Sequence, residues 1–93
     1  MATEFDPGKD MSNRRKHGFG LVAAQALFDG PFIEEEDRRK TYGETRFVAI
    51  GPLAALDNRL FVAIYTWREG KRRIISFRKA NDREARKYRD RYA

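Results

Sequence analysis

The sequence predicts an α+β domain: a small antiparallel sheet of three to four strands, two helices before it and one after it. Three observations carry this. Helical and strand-like periodicities come in separate blocks along the chain, a two-residue turn joins two apolar runs, and each helical block carries a start signal, a stop signal or both. With 93 residues and no internal repeat, the chain is read as one domain spanning residues 1–93.

The first helix is expected from Pro7 to His17. Asp6 stands in the N-cap position before a proline at the first helical position, and Gly18 follows as the stop. Leu21, Ala24, Leu27 and Phe28 then recur at helical spacing until Asp29-Gly30-Pro31. Phe32-Ile33 opens a short strand that runs into Glu34-Glu35-Glu36-Asp37 and Arg38-Arg39-Lys40, read as a charged edge or loop. Thr45 to Ile50 is a second strand, closed by Gly51-Pro52. Leu60 to Trp67 is apolar on both faces, as a central strand is. Arg68-Glu69-Gly70-Lys71 turns the chain, and Arg72 to Arg78 returns antiparallel. Asn81, with Glu84 three residues on, forms a capping box for a last helix whose apolar stripe is Ala85, Tyr88 and Tyr92.

Composition narrows the function classes. The chain has no Cys and one His, which excludes the common structural zinc sites and disulfide scaffolds. No stretch has the apolar length of a membrane span, and the first residues lack a secretory signal, so a cytoplasmic protein is expected. The net charge is +6. Residues 69–93 hold ten Lys/Arg against four Asp/Glu, while residues 1–68 hold ten of each, so the excess lies in the last 25 positions. A patch of that kind suits a phosphate backbone, an anionic membrane or an acidic protein, and charge alone does not choose among them.

Several side chains are candidates for chemistry. Glu44 and Arg46 are two apart on a strand and share a face: either a base beside a phosphate clamp, or a surface ion pair. Arg72 and Arg78 share a side of the fourth strand with Ile74 and Ser76, and Arg73 takes the other. Without a bulge, Arg73 and Arg78 therefore cannot line one groove midway along the strand. His17 is the default proton-transfer group, with a C-terminal helix cap as its plainer role. Lys9, Asn13 and Lys16 form a polar stripe on the first helix, which is usually only solvated. Tyr65 and Trp67 share a strand face and suit base stacking, although core packing is the expected fate of Tyr65 and suits Trp67 about equally. Lys79 and the terminal helix with Arg83, Arg86, Lys87, Arg89 and Arg91 suit a phosphodiester track. No metal-ligand cluster or Gly-rich phosphate loop is present.

These residues also fall into an order that resembles a known family. The run Phe5-Asp6-Pro7-x-Lys9-x-x-x-Asn13-x-x-Lys16-His17-Gly18 is followed by an Ala-rich helix ending Leu27-Phe28-Asp29. Glu44-x-Arg46 with Ile50-Gly51, Tyr65-Thr66-x-Arg68, Arg73-Ile74-Ile75-Ser76-x-Arg78-Lys79-Ala80 and Glu84-x-x-x-Tyr88 come next. From Phe5 to Tyr88 the chain resembles the BrnT family of type II toxin–antitoxin systems.

The resemblance implies a RelE-like fold and a ribonuclease that needs no metal or other cofactor and inhibits translation. It implies RNA as substrate and a ribbon-helix-helix antitoxin, BrnA-like, whose dimer holds two toxins and binds operator DNA. It brings His17, Glu44, Arg46, Arg73 and Arg78 forward as catalytic positions without assigning their roles. Lys9, Lys16, Tyr65, Trp67, Lys79, Arg83 and Arg86 are the expected RNA contacts. Gly20 departs from the family pattern, which often has a Ser cap there, and Val22-Ala23 replace residues that are commonly acidic. A non-catalytic nucleic-acid-binding module is the alternative that the same basic helix and aromatic strand allow.

Overall fold

A computed structural model describes residues 3–38 and 43–92. Its elements, in chain order, are β1 (Thr3–Phe5), α1 (Pro7–His17), a 3-10 turn (Leu21–Ala23), α2 (Ala24–Phe28), β2 (Ile33–Asp37), β3 (Arg46–Leu53), a second 3-10 turn (Ala54–Leu56), β4 (Arg59–Arg68), β5 (Lys71–Lys79) and α3 (Asp82–Tyr92). The strands form one sheet in the order β1-β5-β4-β3-β2. The sheet thus has five strands rather than three or four, and it is mixed: β1 pairs with β5 in parallel, and all other pairs are antiparallel.

The acidic run expected as an edge or loop is strand β2 itself, with Glu34, Glu35 and Glu36 paired opposite Ala49, Val48 and Phe47. An outermost strand can keep such carboxylates in water on both faces. The Arg39-Lys40 part of that charged run lies outside the described residues. β3 also runs further than Ile50, through Gly51-Pro52 to Leu53. β2 begins at Ile33, opposite Ile50, so the outer edge of β3 is unpaired at Pro52, where a strand tolerates proline. Gly51 is required by a close crossing: a Cβ there would lie 2.8 Å from the Pro31 carbonyl oxygen and 3.0 Å from Phe32 Cβ.

The larger part of the core lies on the face of the sheet that α2 covers, while Ile50 and Val62 are buried on the opposite face. Leu21, Ala24 and Leu27 pack on Phe61, Ala63, Tyr65, Ile74 and Phe77. Phe19 meets Phe61 and Phe77 edge-on, at 5.0 and 6.4 Å between ring centres. α1 joins this layer by a different route, since Asn13 is its only buried residue. The Asn13 amide nitrogen donates to the carbonyls of Phe19 and Phe77, both at 2.7 Å, and its oxygen accepts from the Phe77 N–H at 3.0 Å. β1 reaches only as far as Ile74, so Asn13 completes the edge of β5 where a sixth residue pair would have stood. The polar stripe on α1 is therefore split: Asn13 is buried and structural, while Lys9 and Lys16 are exposed.

The local signals hold where they are read. Asp6 caps α1 through the N–H groups of Gly8 and Lys9, and Gly18 ends the helix in the left-handed region. Glu69 and Gly70 both have positive φ, as a two-residue turn between twisted strands requires. Asn81 and Glu84 exchange two 2.9 Å bonds in the capping box. Gly20 offers no side-chain cap to the first 3-10 turn, and Asp10 supplies it across the hairpin by accepting from the Leu21 N–H at 2.6 Å. A Cβ at position 20 would stand 2.9 Å from the Arg14 guanidinium that pairs with Asp10, so glycine leaves room for this substitute cap.

Candidate active site

The second face of the sheet carries the polar chemistry, and the register orders it into rows across the strands. Glu4 pairs with Arg73, Arg73 with Thr66, and Asp37 with Arg46. Phe47 pairs with Tyr65, so the next position sets Arg46 beside Thr66, whose hydroxyl donates to the Thr45 carbonyl at 2.8 Å. One row therefore crosses all five strands as Glu4, Arg73, Thr66, Arg46 and Asp37. The second row is Ser76, Ile64, Val48 and Glu35, and the third is Arg78, Val62, Ile50 and Ile33. In the first row the two arginine Cα atoms are two strand spacings apart, roughly 10 Å. Their side chains, 23% and 26% exposed, can reach one phosphate between them.

A β-bulge makes this grouping possible. Ile64 pairs with Ser76 and Tyr65 with Ile74, which leaves Ile75 as an extra residue on β5. Beyond the bulge every side chain of β5 changes face, so Arg73 and Arg78 lie on the same side while Arg72 lies on the other. The strict alternation expected from the sequence grouped Arg72 with Arg78, and the bulge corrects it.

The contacts that Arg73 and Glu44 make along the first row are long. Arg73 stands 3.7 Å from Glu4 and 3.9 Å from Asp6; the Arg46 Nε lies 3.4 Å from Glu44, which also reaches Arg68 at 4.0 Å. Pairs of this length in solvent are weak and are open to exchange with an incoming anion. The Asp6 carboxyl is held below the usual carboxylate range by the N–H groups of Lys9 and Gly8, with smaller help from the Arg73 and Lys9 charges. The Lys9 N–H bonds the same Asp6 carboxylate that faces Arg73, which sets the start of α1 at the Arg73 end of the row. Arg78 is engaged differently: its guanidinium forms a short bidentate pair with Glu84 of α3, at 2.8 and 2.9 Å, which fastens the helix over the third row.

The structure separates other residues from this row. Tyr65 is fully buried among Phe28, Phe47 and Trp67 on the core face, and no base can stack on it. Its buried hydroxyl has no hydrogen-bond partner among the described residues. Trp67, 40% exposed, also faces the core side, where the Arg72 guanidinium stacks at 4.7 Å from its ring centre and 4.1 Å from that of Phe28. Burial lowers the pKa of Arg72, against the attraction of Glu34. Glu44 joins the row, but His17 does not. His17 is exposed and stands one turn beyond Asn13, about 6 Å along the helix axis, toward the end of β5 that carries Arg78 and Lys79. Lys16 is beside it, and Lys79, Arg83 and Arg86 are exposed around the start of α3. Burial raises the pKa of Tyr88, which stacks on Tyr92 at 4.7 Å.

Sequence reasoning missed Thr66 as a member of this face and Glu84 as the partner of Arg78, while Ser76 was rightly grouped with Arg78. Only the pairing register could have revealed Thr66. Glu84 carried a signal, its capping-box position, but that signal pointed to the helix and not to Arg78. Among the described residues, no three His, Cys, Asp or Glu side chains gather as metal ligands, and no helix is long and apolar enough to cross a membrane.

Three comparisons with known proteins bear on the identity of the chain. A family model described as "Ribonuclease toxin, BrnT, of type II toxin-antitoxin system" matches residues 5–84. The crystal structure of the Brucella abortus ribonuclease toxin BrnT superposes with a TM-score of 0.62 at 21% identity, covering 88% of this chain and 99% of that one. No curated protein matches the sequence.

Proposed function

The chain belongs to the BrnT family of ribonuclease toxins from type II toxin–antitoxin systems, and from that premise we propose that it is a RelE-like endoribonuclease that cuts RNA on the row Glu4–Arg73–Thr66–Arg46. The observation that carries this reading is the pair of partly exposed arginines on one row with a carboxylate, Glu44, beside it. Cleavage needs no group beyond the side chains. Glu44 takes the proton from the ribose 2′-hydroxyl, and the 2′-oxygen attacks phosphorus. Arg46 and Arg73 stabilise the added negative charge on the non-bridging oxygens as the bond to the 5′-oxygen breaks. Lys9, close to Arg73 through Asp6, gives the leaving oxygen its proton. The products are a 2′,3′-cyclic phosphate and a 5′-hydroxyl. In this reading Arg78 holds α3, and His17, Lys16, Lys79, Arg83 and Arg86 bind flanking RNA.

Inhibition of translation and neutralisation by an antitoxin accompany this reading. The partner is a ribbon-helix-helix protein whose dimer holds two toxins, contacts operator DNA itself and covers the arginine row. Such a pair works on cytoplasmic RNA. The test is incubation of the purified protein with RNA in EDTA, with analysis of the ends. Cyclic-phosphate ends are expected, with Glu44→Ala slower by about 10²-fold or more. No cleavage, cleavage only with added metal, or an undiminished Glu44→Ala variant would overturn it.

A further inference from the structure

Next to the first row, and sharing Val48 and Ile64 with the second, lies a cavity of about 290 Å³ between the sheet and the start of α3. Its floor is apolar, formed by Val48, Ile50 and Ile64 on one face of the sheet. Its rim carries four cations and four carboxylates, so the formal charge of the lining is zero. A phosphate gains little net attraction from such a rim. A flat neutral heterocycle gains on both counts, because its ring face covers the aliphatic floor and its edge meets oriented donors and acceptors. The volume is near the lower end of small-molecule sites, the scale of a single base and not of an oligonucleotide.

Most of the rim is already committed. Lys87 pairs with Glu35 at 2.8 Å, Arg38 with Glu36 at 3.2 Å, and Arg78 with Glu84, while Asp37 is also engaged. Arg83 has no ion pair or hydrogen bond among the described residues, yet it lines the cavity. Its fork of N–H groups matches two adjacent acceptors on a base edge. Guanine presents O6 and N7 in that arrangement, whereas adenine replaces the first by a donor. Cytosine also has two adjacent acceptors, but a purine covers more of the aliphatic surface of Val48 and Ile64, beneath which Ile50 is buried.

We propose that this cavity is a base-recognition pocket that takes a guanine flanking the scissile bond, read by Arg83 and seated on Val48 and Ile64. The inference rests on the nuclease reading for its catalytic meaning and stands on its own as a binding site. Cleavage-site mapping tests it, on an RNA in which all four bases are equally represented, with the parent protein and Arg83→Met. Cleavage is expected to concentrate beside guanine, and Arg83→Met should reduce that preference roughly 5- to 150-fold. A preference for another base, no preference, or a guanine preference that survives Arg83→Met overturns the proposal. Should the parent cut no RNA, the nuclease reading fails and the pocket is judged separately by methyl NMR. Shifts of the Val48 and Ile64 methyl signals with guanosine 3′-monophosphate, and not with cytidine 3′-monophosphate, uphold it; without them it falls.

Discussion

Replacing Asn13 by alanine should detach α1 from the sheet. The helix buries no apolar side chain, and its one exposed large hydrophobic residue, Met11, points to solvent at 60% exposure. Its attachment depends on the hydrogen bonds of Asn13 and on the Asp10 cap. Asn13→Ala leaves three backbone groups without their partner: the Phe19 carbonyl and both the N–H and carbonyl of Phe77. At about 0.5–1.5 kcal/mol for each net bond the loss is roughly 1.5–4.5 kcal/mol, and the unsatisfied Phe77 groups, at the buried end of that range, push it toward the upper half. That is a large part of the stability of so short a chain, typically about 5–10 kcal/mol. The transition temperature should fall by more than about 10 °C. Urea and thermal unfolding of Asn13→Ala, with Met11→Ala as the control, measure this. A loss under about 1 kcal/mol, or one equal to the control's, would refute the view that one side chain joins helix to strand.

The remaining predictions are smaller in scope. Gly51→Ala should cost about 1–3 kcal/mol by overpacking against Pro31 and Phe32, while Gly30→Ala, with open space around it, should change little in the same unfolding assay. Tyr65→Phe should leave stability equal or raised, because the buried hydroxyl has no partner among the described residues, and RNA cleavage should be unaffected; lower activity with intact folding would return Tyr65 to the RNA contacts. Asp6 has a folded pKa below its ordinary 3.8, so its contribution is complete above that value and is lost as pH falls through the lower folded one. The stability difference between the parent and Asp6→Asn should therefore be present at neutral pH and vanish in strong acid; a difference independent of pH would contradict the assigned cause.

What was legible in the sequence is what is local. The Asp6 cap, the Glu69-Gly70 turn and the Asn81–Glu84 box each need only three or four neighbouring residues, and each stands as read. What was hidden depends on distant partners. β1 is three residues long and pairs with a strand some seventy positions away, and nothing in Thr3-Glu4-Phe5 announces that pairing. The extra residue at Ile75 sits inside an unmarked run of apolar residues, yet it decides which arginines share a face. Asn13 reads as one more polar residue on a solvated helix because the edge it completes comes from the far end of the chain. The family pattern carried the arginines forward without their geometry; the register supplies the row on which Arg46 and Arg73 meet.

The row is the central claim, and single-turnover cleavage of RNA by Arg73→Ala tests it most directly, with Lys71→Ala, an exposed cation in the adjacent hairpin, as the matched loss of charge. The account predicts a fall of about 10²-fold or more for Arg73→Ala, as for loss of a group that stabilises the transition state, and little change for Lys71→Ala. A folded Arg73→Ala protein that cuts RNA as fast as the parent, or two variants equally slowed, would contradict it.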